Sequence, residues 1–155
     1  MHFRVTGLSP EPFVSLYGLD AAGLARRGVQ RLAVDACPGF PDRIELRDAQ
    51  PGESVLLLNY EHQPAPTPYR AAHAIFVREG ALAPYDAVDE IPAALRTRTL
   101  SLRAFDAGHQ MVDADLVDGQ AAETLIARLL AVPKVAYLQA HYARRGCYAA
   151  RIERA

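Results

Sequence analysis

Residues 37–79, CPGFPDRIELRDAQPGESVLLLNYEHQPAPTPYRAAHAIFVRE, constrain the fold more than any other stretch of this chain. Two prolines and a glycine within Cys37–Pro41 exclude either regular element there. Ala49-Gln50-Pro51-Gly52 has proline and glycine where a turn favours them. Glu53 to His62, containing the apolar run Val55 to Leu58, reads as a strand, and His73 to Glu79 as a second. The intervening QPAPTPYRAA holds three prolines and must cross the surface as a loop. Antiparallel pairing across that loop puts Leu56, Leu58 and Tyr60 on one face with Ile75 and Val77. It also brings His62 and His73 together at the neck.

Before this stretch, His2–Leu8 reads as a strand stopped by Ser9-Pro10. Glu11–Leu19 fits irregular or helical structure equally. Asp20 is placed to cap a helix over Ala21–Arg27, ended by Gly28. Val29–Ala36 is β-branched and partly alternating, hence a strand, and Ile44–Asp48 reads as another. After it, Gly80–Ala94 contains Pro84 and Pro92 and reads as irregular with one helical turn.

Two hairpins follow. In Thr97–Val117 the turn Asp106-Ala107-Gly108 suits a three-residue loop with left-handed glycine, pairing Leu102 with Val112 and Leu100 with Ala114. His109, Asp113, Asp115 and Arg103 then lie opposite. In Lys134–Glu153, Arg144-Arg145-Gly146 has the same form. It sets Leu138 against Ile152, Ala140 against Ala150 and Tyr142 against Tyr148. Gln139, His141, Cys147 and Arg151 share the other face.

Between the hairpins, Gly119–Ala131 carries Ala122, Leu125, Ile126, Leu129 and Leu130 at helical spacing, after Asp118 and before Pro133. The pattern predicts a single α+β domain over residues 1–155. Its largely antiparallel twisted sheet has one long helix, about 119–131, on one face and a short N-terminal helix.

At 155 residues the chain can bury a real core without covalent staples. With 17 basic and 18 acidic side chains the net charge is −1, which gives no footprint for a nucleic-acid backbone. Apolar stretches are far short of a membrane span, and MHFRVTGLSPEP lacks the parts of a signal peptide. Cys37 and Cys147 form no CxxC pair, which fits two free thiols in a reducing cytoplasm.

Chemistry could reside in several groups. Cys147 lies diagonal to His141 in the predicted hairpin, roughly 7 Å away, close enough for a nucleophile and its general base. The bland alternative is a small buried thiol. Cys37 sits in a proline-rich loop near Arg43 and Arg47. Arg43, Arg47, Tyr69 and Arg70 could grip an anion, or the arginines could pair with Glu45 and Asp48. His62 with His73, and His109 with Asp113 and Asp115, have no recognised metal spacing, so no metal is expected. No glycine-rich phosphate loop and no GxSxG or SxxK motif is present, and no cofactor is expected.

Cys37, the block from Arg47 to Leu58, Pro68-Tyr69, Ile75-Phe76-Val77, Met111-Val112-Asp113-Ala114 and Gly146-Cys147-Tyr148 form a pattern across nearly the whole chain. With these residues the chain resembles an uncharacterised bacterial family known as domain of unknown function 1203. The resemblance implies a small stand-alone bacterial protein and brings no activity, substrate or catalytic residue with it.

The leading expectation is a small cytoplasmic protein binding a polar or anionic ligand around the Gln63–Ala72 loop. Arg43, Arg47, His62, Tyr69 and His73 are its expected ligand-binding residues. An enzyme or redox-sensing protein using Cys147 with His141 is the alternative. The third reading is a homo-oligomer subunit pairing through an exposed strand edge. Neither nucleic acid nor membrane is an expected partner.

Overall fold

Alternating side chains between proline and glycine punctuation build nine strands, and the computed structural model describes residues 1–155. The elements are β1 (Phe3–Thr6), α1 (Ala21–Ala25), β2 (Gln30–Ala33), β3 (Ser54–Gln63), β4 (Ala71–Arg78) and β5 (Asp86–Val88). They continue with α2 (Ala93–Arg96), β6 (Thr99–Asp106), β7 (Met111–Asp118), α3 (Ala122–Leu130), β8 (Val135–Tyr142) and β9 (Tyr148–Arg154). Six strands form one sheet in the order β5-β1-β9-β8-β6-β7, and β2-β3-β4 form a second. All strand pairs are antiparallel. No helix is long and apolar enough to cross a membrane.

The helices are shorter than the sequence pattern predicts, and the long helix over 119–131 is not formed. Asp118 accepts a hydrogen bond from Gln120 N, but the chain first makes a 3-10 turn at Gly119–Ala121. Only Ala122–Leu130 is α-helical. Gly119 explains the tight start, because it lies against the Leu95 carbonyl and donates its amide to Arg98 O at 2.9 Å. At the other end Arg154 donates to Leu130 O at 3.1 Å and to Val132 O at 3.0 Å. A nine-residue helix is marginal by itself. Here Leu125, Ile126, Leu129 and Leu130 bury against the large sheet, each contributing about 1.5–3 kcal/mol.

The central hairpin follows its pattern. Leu56 faces Val77, Leu58 faces Ile75, and Tyr60 faces His73. A bulge between Glu61 and Gln63 separates His62 from that ladder, so the two histidines do not meet. Ile44–Asp48 is not a strand. Asp42 Oδ2 accepts Glu45 N at 2.6 Å and Leu46 adopts φ 52°, which folds the segment back on itself. The result places Ile44 in the core of the small sheet and Leu46 in that of the large one. β5 is an edge strand that the prolines around it concealed.

The β6–β7 hairpin has a different register from the predicted one. Asp106 Oδ1 accepts both Gly108 N and Gln110 N, and His109, rather than Gly108, takes the left-handed conformation at φ 61°. The longer turn pairs Leu102 with Asp115 and Leu100 with Val117, a shift that turns the acidic residues onto the helix side. Arg128 of α3 meets them there, at 3.3 Å from Asp113 and 2.8 Å from Asp115.

The β8–β9 hairpin keeps the predicted pairs Leu138–Ile152 and Ala140–Ala150, with Gly146 left-handed at φ 78°. A bulge between Ala140 and His141 then pairs His141 with Tyr148. Because strand side chains alternate, one inserted residue exchanges the faces of Cys147 and Tyr148. Leu138, Ala140, Tyr142 and Cys147 join the core under the helices. On the other face His141 and Tyr148 meet His62 of β3, at ring separations of 4.9 and 5.5 Å.

Candidate functional site

The bulge creates two polar regions, one on each side of β8. The first is a cleft of about 440 Å³ where the Cys37–Pro41 loop, the α2–β6 joint and the β8–β9 turn converge. Thr97, Arg98, Thr99, Tyr142, Arg144, Arg145 and Cys147 line it. Arg98 donates to Asp48 at 2.9 and 2.6 Å and to Ala94 O at 2.8 Å, so its charge is matched. Arg144 and Arg145 are exposed on the turn and make no hydrogen bond or ion pair.

Behind the cleft lies Arg43, 1% exposed. Its Nε donates to Tyr148 O at 2.7 Å, its Nη1 to Pro41 O, and its Nη2 to Cys147 Sγ at 3.1 Å. The Arg43 and Arg98 guanidinium carbons sit 4.8 and 5.2 Å from the Tyr142 ring centre, within cation–π range. Tyr142 is 6% exposed, and its hydroxyl has no hydrogen-bond partner. Burial pushes that phenol up to about 12, against the pull of Arg43 and Arg98. A buried hydroxyl without a partner costs about 1–3 kcal/mol relative to a satisfied one. The cleft therefore has surplus positive charge on its rim and an unmet polar group in its wall.

The second region, about 320 Å³, lies between the two sheets and is lined by His62, Gln63, His109, Tyr137, Gln139 and Arg151. Its polar groups are already engaged with one another. The Tyr137 hydroxyl is bonded to Gln63 Nε2 at 2.8 Å and lies 2.9 Å from His109 Nδ1. Gln139 Oε1 is 2.9 Å from His62 Nδ1 and 3.1 Å from His141 Nε2, and Gln139 Nε2 donates to His62 O. Arg151 lies 3.9 Å over the Tyr137 ring and pairs with Glu153. Burial lowers the pKa of His62.

The five residues expected to hold a ligand are dispersed. Arg43 stands behind the first cleft and His62 lines the second. Arg47 is taken by Glu45 at 2.6 Å and by Glu53 at 2.8 Å, and the contact with Arg47 holds the Glu53 carboxyl down at about 2. Tyr69 stands edge-on to Phe105 at 6.3 Å, and half-buried His73 turns to Ala74 O. Cys147 and His141 also part. Both imidazole nitrogens have other partners, Gly146 O and Gln139 Oε1, while the sulfur is met by Arg43. Cys37 is exposed, and its sulfur accepts from Gln50 Nε2 at 3.2 Å.

A family model matches residues 39–154. The chain belongs to the family of proteins of unknown function DUF1203. Both polar regions are built almost entirely from residues inside the DUF1203 match. Comparisons with curated proteins and with solved structures gave no match.

The sequence reading passed over Arg98, Tyr142, Thr97 and Thr99, and treated Arg144 and Arg145 only as the turn beside a thiol. A signal for Arg144 and Arg145 is present. Residues 124–152 contain five basic side chains and no acidic one, a local asymmetry hidden inside a nearly neutral chain.

Proposed function

We propose that this protein binds a small anionic ligand, a carboxylate or phosphate compound, in the cleft between the Cys37–Pro41 loop and the β8–β9 turn. The observation that carries this reading is the pair Arg144 and Arg145, two guanidinium groups without acidic partners on the rim of a 440 Å³ cleft. Guanidinium forks match the oxygens of carboxylate and phosphate, and the volume is within the range of small-molecule sites. Thr99 adds a hydroxyl donor to the lining, and the Tyr142 hydroxyl in its wall has no partner. The region between the sheets has the more concentrated histidines, yet its groups satisfy one another and leave less for a ligand to gain.

Thermal unfolding in inorganic phosphate or citrate tests the reading. A ligand present at 100 times its Kd stabilises by about 2.7 kcal/mol, which raises Tm by several degrees. The double variant Arg144→Ala/Arg145→Ala should melt as the parent does without anion, since exposed substitutions cost within about 0.5 kcal/mol. It should lose the rise that either anion gives the parent. Equal responses in the two proteins would remove this cleft from consideration.

A further inference from the structure

We propose that Cys147 is a thiol-exchange centre, and that its reaction partner is a small anionic disulfide seated by the cationic rim. The proposal rests on the anion-binding reading and gives it a chemistry. Three observations meet at one place. Cys147 lines the cleft, and its Sγ accepts from Arg43 Nη2 at 3.1 Å, a contact that a thiolate accepts more strongly than a thiol. Tyr142 lines the same wall, and its hydroxyl, buried near the charges of Arg43, Arg98 and Asp48, has no hydrogen-bond partner. Arg144 and Arg145 stand unpaired on the rim.

What the site lacks narrows the reaction. His141, the only histidine on that hairpin, is turned to the opposite face with both nitrogens engaged, so no imidazole serves the sulfur as a base. Acyl transfer to water or amine needs a group that shuttles protons. Thiol–disulfide exchange needs only a thiolate, access and a competent leaving thiolate. Cys147 gives its proton to solvent and its sulfur attacks one sulfur of R–S–S–R. The Cys147–S–S–R bond forms as the original S–S bond breaks. R–S⁻ departs and takes a proton from solvent. The Cys147 sulfur is oxidised, the departing sulfur is reduced, and no other oxidant enters.

The test uses the folded Cys37→Ser protein, which leaves Cys147 as its one thiol. Glutathione disulfide, which is anionic, and cystamine, which is cationic, are compared by intact-mass time courses. Each rate is divided by that of the same protein unfolded, which removes the intrinsic reactivity of the reagents. The expected result is a single glutathionyl adduct on Cys147, with a normalised rate at least about tenfold above that of cystamine, the low end of electrostatic steering. Arg144→Ala/Arg145→Ala should erase that preference, and saturating phosphate should slow the adduct. No adduct in the folded protein, or equal normalised rates for the two disulfides, overturns the proposal. If phosphate raises Tm in the Cys37→Ser protein while Cys147 stays unmodified, the exchange centre fails and the anion site stands. If phosphate has no effect on Tm, the anion site itself fails.

Discussion

His141 has no exposed surface, and both its ring nitrogens face oxygen acceptors, Gly146 O and Gln139 Oε1, each at 3.1 Å. Two acceptors ask for two N–H groups, hence an imidazolium, whereas burial in this setting opposes the charge. Burial wins, with the positive charge of Arg103 behind it, and the pKa falls to about 3. Below the ordinary value of about 6.5 the unfolded chain takes up a proton that the folded chain refuses. Stability from this group is therefore complete above pH 6.5 and is lost progressively as pH falls toward 3, by on the order of a few kcal/mol in all. His62, also lowered by burial, adds to the same slope. Urea unfolding from pH 7 to pH 5 should show a declining free energy, and His141→Gln should flatten that decline; an unchanged slope would exonerate the imidazole. The place of His141 on a polar strand face was legible, since it follows from alternation. Its separation from Cys147 was not. AHYARRGCYAA alternates equally well with or without an extra residue, and only the packing of Tyr148 under His62 selects the bulge.

Among the elements, those with a local chemical cause were the most readable. Asp20 accepts Gly23 N at 2.7 Å at the start of α1, and the Ala122–Leu130 stripe faces the core as its spacing requires. Turn length was less readable, because the Asp106 carboxylate decides it by bonding two amides whose geometry no residue spacing reveals. Two glycines separate the kinds of constraint involved. A Cβ on Gly119 would lie 2.0 Å from the Leu95 carbonyl oxygen and 2.8 Å from the Arg96 backbone, so no flexible side chain can yield. A Cβ on Gly146 meets nothing within 4 Å, and only its φ of 78° resists substitution. Gly146→Ala should cost about 1–2 kcal/mol, the left-handed penalty. Gly119→Ala should cost more, up to about 3 kcal/mol or beyond, because backbone must move to admit it. Denaturant titration of both variants gives the order directly. A smaller loss at Gly119 would mean that the α2–α3 joint relaxes freely.

For the whole molecule, an antiparallel sheet with few helices was legible from strand alternation and punctuation. Strand order was not, since β1 and β9 are far apart in sequence yet adjacent in the sheet. The family match begins at residue 39, but the fold does not divide there. β1 lies between β5 and β9, and Phe3 and Val5 belong to the core under the helices. Phe13, Leu16, Leu24 and Val29 supply much of the core of the small sheet. Gly7 passes so near the Ile44 carbonyl that a Cβ there would sit 2.0 Å from its oxygen. A fragment spanning 39–155 should therefore lose cooperative thermal unfolding by circular dichroism and expose apolar surface to a dye such as ANS. A sharp melt of that fragment would show that the first 38 residues are an addition to a complete core.

Arg43 has a kinetic consequence. Its three contacts reach the Cys37–Asp48 segment, the backbone of β9 and a sulfur at the end of a hairpin. Peeling that segment away alone would break the bonds to Tyr148 O and Cys147 Sγ and uncover the buried Ile44 and Leu46, whose burial is worth about 1.5–3 kcal/mol each. Partial opening is thus penalised nearly as heavily as complete opening, although the segment has no regular structure. In hydrogen exchange the amides of Asp42, Arg43 and Ala49, bonded to Arg47 O, Phe76 O and Phe40 O, should exchange as slowly as those of β8. An irregular loop would then belong to the last part of the protein to open.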